Sequence, residues 1–151
     1  MTRRTHFLGI FLAAWSFGFA CVHLAWAAGW RGGLPASFES IFDRPWFLAY
    51  DVLAGLLMYA AAAGALLLVS GRGTDRLRAV TRIAAVLALL RGAPALVFDV
   101  AGGDFGVVSF GADVWFTVAG VAGLLLWSGT RRRTAFTPVV VRPDHRSTLS
   151  V

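Results

Sequence analysis

Cysteine is nearly absent from this sequence, and its scarcity removes a whole class of redox chemistry. The 151 residues include a single cysteine, Cys21, which excludes an internal disulfide and any CxxC redox centre. Four-helix thiol oxidoreductases of the quinone-reducing type are excluded with them. Cys21 is then most simply a small apolar packing residue.

Charged residues are also few, at 15% of the chain, whereas hydrophobic residues make up 58%. The mean hydropathy of +0.70 is too high for a soluble domain of this length. The apolar residues come in blocks, and about 20 such residues cross the roughly 30 Å hydrocarbon core of a bilayer. The sequence therefore predicts an all-α, polytopic membrane protein with four transmembrane helices, at about 7–28, 46–70, 79–101 and 111–128.

The alternation of polar and apolar residues that is typical of a membrane β-barrel is missing from these blocks. The second block, VLAGLLMYAAAAGALLLV, is instead rich in Ala and Leu, which favour helix. Short connections favour an antiparallel four-helix bundle in which helices 2 and 3 are neighbours. In our interpretation residues 1–130 form this domain, and residues 131–151, which lack an apolar block, form a disordered cytoplasmic tail.

Lysine is missing, so the basic side chains other than histidine are all arginine, and their distribution indicates a membrane topology. Eleven arginines fall before helix 1, between helices 2 and 3, or after helix 4, whereas the other two loops carry only Arg31 and Arg44. The positive-inside rule then places both termini in the cytoplasm of a multi-pass plasma-membrane protein. We expect no nucleic-acid partner, because the arginines cluster beside the ends of the transmembrane segments, as a topology signal does.

A cleaved signal peptide is the alternative interpretation of the first apolar block, since AWAAG resembles a signal-peptidase site. The block is longer than the about 7–15 residues of a signal-peptide core. We therefore favour an uncleaved first helix.

Polar residues inside the apolar blocks are concentrated in the halves predicted to face outward. At a rise of about 1.5 Å per residue, His23 and Asp51 each lie roughly 9 Å inside the outer ends of helices 1 and 2. Arg91 lies near the midplane of helix 3, where an unpaired guanidinium is costly, so we expect Asp51 to pair with it and His23 to join them. The predicted ligand-binding or buried polar cluster comprises His23, Trp26, Asp51, Arg91, Asp99 and Asp113.

Two interpretations of this cluster stay open. In the first, His23, Asp51 and Arg91 pair simply to set the helix register, since polar side chains commonly hold transmembrane helices together. Ionisable residues at membrane depth also mark ligand and proton sites. Asp99, Asp104 and Asp113 lie near the outer mouth, where a solvated rim accounts for them without a function. Close by, Gly55 and Gly92 leave room for a neighbouring backbone or a ligand.

Common cofactor chemistries fit the sequence poorly. A bis-histidine haem needs two facing histidines, but His6 and His145 lie outside the predicted spans, and Met58 is an improbable second ligand. A zinc site needs three or four ligands. We therefore expect no metal and no cofactor, and we assign no catalytic residue. His23 and Asp51 are nevertheless chemically able to act as a general acid–base pair on a lipid.

The segment FACVHLAWAAGWRGGLP resembles a family of small four-helix integral membrane proteins of unknown function. That family carries a His-x-Tyr-Trp-Ala-x-Gly-Gly segment at the end of helix 1, followed by Gly-Leu-Pro, and an arginine-bearing third helix similar to LLRGAP. Ala25 stands where the tyrosine is usual, and Trp30 where the second glycine is usual. The resemblance implies the helix layout and the position of the site, and no activity. The matching residues are His23, Trp26, Ala27, Gly29, Gly33, Leu34 and Pro35.

The sequence as a whole predicts a membrane protein with an outward-side polar pocket that binds or helps to move a small molecule, a lipid or a proton. Its partners are the lipid bilayer and, in this interpretation, a lipid or small-molecule ligand. One alternative is an accessory subunit of a larger membrane complex, with another membrane protein as its partner. A second alternative is a membrane enzyme acting on a lipid, and the sequence does not decide whether the chain is an enzyme.

Overall fold

A computed structural model of the chain describes residues 2–34, 42–103 and 105–131, and these residues form four long α-helices. Helix α1 spans Arg3–Ala27, α2 spans Pro45–Val69, α3 spans Asp75–Gly102 and α4 spans Val107–Arg131. Each helix contains a stretch long and apolar enough to cross a bilayer, as the sequence predicts. Asp104 and residues 132–151 of the tail predicted at 131–151 lie outside the described residues, and Arg131 ends α4.

Helices α1 and α3 begin several residues earlier than their apolar blocks because a threonine caps the first turn of each. Thr2 accepts a hydrogen bond from the backbone N–H of Thr5 at 3.2 Å, and α1 begins directly after it. Thr74 accepts from the N–H of Leu77 at 3.1 Å, so α3 begins several residues before its apolar block. Such caps satisfy N–H groups that have no partner within the helix. Hydropathy alone therefore placed these starts too late.

The helices pack in the order α2, α1, α4, α3. Helix α1 packs along α2, α3 packs along α4, and contacts between α1 and α4 join the two pairs. Helices α2 and α3 make few contacts, one of them close to their loop, where a Cβ on Gly64 would lie 3.3 Å from Leu77 Cδ1. The predicted packing of helices 2 and 3 as neighbours thus holds only near the loop. A short loop fixes the distance between two helix ends and leaves the rest of each helix free to pack elsewhere.

The apolar core lies toward the end of the bundle where α2 is joined to α3. It brings together small and aliphatic side chains of α1, α2 and α4, and small residues permit close helix approach. Polar and aromatic side chains collect nearer the opposite end, where α1 is joined to α2. The core residues are Leu12, Ala13, Ala62, Ala65, Leu68, Val69, Ala122 and Leu126.

Glycines set the spacing of both helix pairs at the level of the polar residues. A Cβ on Gly92 would lie 2.6 Å from the backbone nitrogen of Thr117 and 2.8 Å from the carbonyl oxygen of Asp113, so α3 and α4 touch backbone to backbone there. A Cβ on Gly55 would lie 2.8 Å from the side chain of Leu24. The close approach expected at both glycines is confirmed.

Candidate functional site

A hydrogen-bonded pair, His23 and Asp51, joins α1 to α2. Nδ1 of His23 lies 2.6 Å from Oδ1 of Asp51, a short distance for a nitrogen–oxygen hydrogen bond. His23 lies one turn before the end of α1 and Asp51 lies in the second turn of α2, so the antiparallel arrangement brings them to one level. The predicted proximity of these two residues is confirmed.

Both members of this pair are buried, and each keeps one atom unbonded. His23 is 3% exposed and Asp51 is 0% exposed. Among the described residues, Nε2 of His23 and Oδ2 of Asp51 have no hydrogen-bond partner. Buried polar atoms are almost always bonded, because an unmet donor or acceptor costs about 1–3 kcal/mol. The pair therefore offers one nitrogen and one oxygen for a further interaction.

Three aromatic rings surround the imidazole of His23. The centroids of Phe19, Trp26 and Tyr50 lie 4.6, 5.3 and 5.7 Å from that of His23, each at a steep angle between the ring planes. Edge-to-face contacts of this kind hold a ring in one orientation. The sequence analysis missed Phe19 and Tyr50. Phe19 precedes His23 by four residues, which places it on the same helix face, and that spacing is the signal that identifies it.

Trp26 closes the site toward the α1–α2 loop. Its indole Nε1 donates to the carbonyl oxygen of Gly32 at 2.9 Å, and the residue is 9% exposed. The chain turns back at Gly29, whose φ of 96° lies in the left-handed region that glycine tolerates, and this turn returns the loop toward α1. Trp26 thus covers the imidazole and fixes the loop above it.

A second ion pair, Arg91 and Asp113, joins α3 to α4. Nη1 of Arg91 lies 2.5 Å from Oδ1 of Asp113. The expectation that Asp51 pairs with Arg91 is therefore wrong, because Asp51 faces α1 and Arg91 faces α4. Asp113 is 3% exposed, so the solvated-rim interpretation of this residue is wrong as well. The physical reason is the helix order, which places α3 beside α4 and away from α2.

Aromatic side chains connect the two ion pairs. The guanidinium of Arg91 lies 5.7 Å from the ring centroid of Phe116, and Phe116 lies 5.9 Å from Phe19, which in turn contacts His23. Trp115 stacks on Phe19 at 3.9 Å. Four helices therefore contribute to one layer of polar and aromatic side chains, in which His23, Asp51, Asp113 and Trp26 are buried. Asp99, also predicted for the cluster, is half-buried near the end of α3.

A reciprocal contact between two tryptophans fixes α1 against α4 beside this layer. Nε1 of Trp15 donates to the carbonyl oxygen of Trp115 at 3.2 Å, and Nε1 of Trp115 donates to that of Trp15 at 3.3 Å. The two indole rings are parallel within 5°. Both tryptophans lie well inside their helices, and neither was predicted from the sequence as part of the site.

The donor set of the site does not resemble a metal centre. Within residues 2–34, 42–103 and 105–131, no three His, Cys, Asp or Glu side chains lie close enough together to hold a metal ion. Comparison with known protein families, with curated proteins and with solved structures finds no match to this chain. The resemblance at the end of α1 stays a prediction.

Proposed function

We propose that this chain is a multi-pass protein of the plasma membrane whose His23–Asp51 pair binds and exchanges a proton inside the bilayer. The main support is that both side chains are almost completely buried. Within the described residues, Nε2 of His23 and Oδ2 of Asp51 nevertheless have no hydrogen-bond partner. A proton needs no cavity, whereas a lipid or a metabolite needs one. The arrangement therefore favours a proton over the other ligands considered for this site.

The charge balance of the pair favours one bound proton that the two residues share. With one shared proton the pair is neutral overall, either as carboxyl and imidazole or as carboxylate and imidazolium. Removing that proton leaves a net negative charge in a medium of low dielectric constant, and adding a second leaves a net positive charge; both are costly. Arg91 and Asp113 already balance each other, so proton exchange at this layer centres on His23 and Asp51.

Infrared difference spectroscopy of the purified protein in lipid, recorded across a pH titration, tests proton binding. We expect a carboxyl or imidazole signal that Asp51→Asn removes. Asp75→Asn is the matched control, because the Asp75 carboxylate is 93% exposed at the start of α3. A spectrum that Asp51→Asn leaves unchanged would refute the proposal.

Movement of the proton across the bilayer is a separate step with its own measurement. Liposomes that contain the protein and an internal pH-sensitive dye should respond to an external acid jump faster than empty liposomes. His23→Gln should abolish the faster response of the protein-containing liposomes, because glutamine is similar in size to histidine and its amide does not bind and release protons. A response equal to that of empty liposomes would restrict the role of the pair to proton binding.

The enzyme alternative uses the same two residues. In it Asp51 orients His23, which acts as the base, and the 2.6 Å hydrogen bond fits that arrangement. A general base must reach the proton that it removes from the substrate. Because His23 is 3% exposed and Trp26 covers it, the geometry favours proton exchange over catalysis on a lipid.

The orientation of the protein follows from the arginine distribution. With eleven arginines on one side and two in the opposite loops, both termini are proposed to be cytoplasmic. A reporter fused after residue 151 should then be active only as a cytoplasmic reporter. Activity of an external reporter at that position would reverse the orientation and leave the proton-binding pair itself unaffected.

The accessory-subunit alternative draws on the exposed face of α3. Leu87, Leu90 and Phe98 are 60, 67 and 76% exposed, and α3 packs mainly against α4. Lipid covers such a face in a protein that works alone, and a partner helix covers it in a complex. Isolation of the protein from native membranes in a mild detergent distinguishes the two, since a stoichiometric co-purifying membrane protein would support the accessory role.

A further inference from the structure

A groove on the surface of α3, far from the His23–Asp51 pair, combines arginines with apolar side chains. Its volume is about 590 Å³. One wall is a single face of α3, and Trp127 of α4 forms the other. The lining residues are Asp75, Arg78, Ala79, Arg82, Ile83, Val86, Leu87 and Trp127.

Polar and apolar residues are separated along the length of this groove. Arg78 and Arg82 lie near the first residue of α3. Ile83, Val86 and Leu87 follow toward the middle of the helix. Ile83 and Leu87 are 59% and 60% exposed. In a helix that crosses a bilayer, this sequence of residues runs from the headgroup level into the hydrocarbon.

The arginines are arranged so that positive charge remains for a partner. Nη1 of Arg78 donates to Oδ1 of Asp75 at 3.0 Å, which balances one positive charge locally. The guanidinium of Arg82 lies 4.9 Å from the ring centroid of Trp127, a contact that orients it without neutralising it. Two arginines and one aspartate leave a net charge of about one positive unit, which matches one phosphodiester.

We propose that this groove binds an anionic phospholipid. The phosphodiester lies between Arg78 and Arg82, the glycerol region lies against the indole of Trp127, and an acyl chain lies along Ile83, Val86 and Leu87. Guanidinium groups bind phosphate oxygens strongly and with defined geometry. The site requires only that α3 crosses a bilayer, so it is independent of the orientation of the protein and of the proton proposed for His23 and Asp51.

Native mass spectrometry of the full chain in detergent, with phosphatidylglycerol or phosphatidylcholine of identical acyl chains added, tests this proposal. We expect phosphatidylglycerol to be retained preferentially. Arg82→Gln should lower its retention about fivefold, since each arginine at a membrane surface contributes roughly that factor to anionic lipid binding. Arg76→Gln is the matched control, because Arg76 lies in the same turn region of α3 and does not line the groove.

Three outcomes would overturn the proposal. Equal retention of the two lipids would show that charge does not select the occupant. An equal loss with Arg76→Gln and Arg82→Gln would show diffuse attraction by the helix end. Displacement of the lipid by millimolar inorganic phosphate would show that the groove binds phosphate alone and that the apolar side chains do not contribute to binding. Because Arg82 is exposed, its replacement should leave the helical content unchanged, and circular dichroism of each variant checks this.

Discussion

The two ion pairs of the polar layer each contain one aspartate, and they differ in the basic partner and in their surroundings. His23 and Asp51 are both buried, whereas Arg91 has a side chain that is 56% exposed and only its partner Asp113 is buried. The buried pair contains a base that is able to give up its proton. The half-exposed pair contains an arginine, which remains charged in proteins. We infer that a proton can move between the members of the first pair, whereas the charges of the second pair are fixed.

The largest effect is expected from Asp113→Asn, which leaves Arg91 charged without its carboxylate. Removing one partner of a buried ion pair costs about 3–5 kcal/mol in the free energy of unfolding. Unfolding by sodium dodecyl sulfate in mixed micelles measures it. The double variant with Arg91→Met should recover most of the loss. If Asp51→Asn were rescued by Arg91→Met instead, the pairing described above would be wrong.

The next effect is expected from Gly92→Ala, which separates α3 from α4 beside the Arg91–Asp113 pair. The added methyl group would collide with the backbone of α4 at Thr117 and Asp113. Overpacking of this kind costs about 1–3 kcal/mol. Gly18→Ala is the matched control, since nothing lies within 4 Å of a Cβ at that position of α1. Equal thermal stability of the two variants would contradict the close contact at Gly92.

A smaller loss, about 1–2 kcal/mol, is expected from Asp51→Asn, although Asp51 is the more deeply buried carboxylate. An imidazole has a neutral form and a guanidinium does not, and the asparagine oxygen can still accept from Nδ1. The same detergent titration measures this loss beside that of Asp113→Asn. A loss larger than that of Asp113→Asn would reverse the contrast between the two pairs.

The smallest effect is expected from Asp75→Asn, which removes an ion pair outside the layer. Asp75 and Arg78 lie three residues apart at the start of α3, and the Asp75 side chain is 93% exposed. Exposed pairs of this kind contribute about 0.2–1 kcal/mol, so the loss should stay below about 0.5 kcal/mol. A thermal melt within error of the wild-type curve is the expected result. A loss comparable to that of Asp51→Asn would show that charge at the helix end contributes as much as charge in the layer.

Much of the site was predictable from spacing along each helix. The depth of His23 and of Asp51 follows from their distance to the helix ends, and the structure brings these two side chains together. The partner of Arg91 was not predictable, because α4 begins earlier than its apolar block, and this places Asp113 as far inside α4 as Asp51 lies inside α2. Tyr50 was missed for a related reason, since its contact with His23 depends on how α2 is rotated against α1.

The sequence by itself determined the four helices, their approximate ends and the layer in which the polar residues meet. These features depend on hydropathy, helical rise and capping, which act within one segment at a time. Only the tertiary structure decided the helix order α2, α1, α4, α3, and with it the division of four ionisable residues into two separate pairs. The physical reason is that packing between helices depends on which small residues allow two backbones to approach. Gly92 faces α4 and Gly55 faces α1, so each close approach depends on residues outside the helix that carries the glycine.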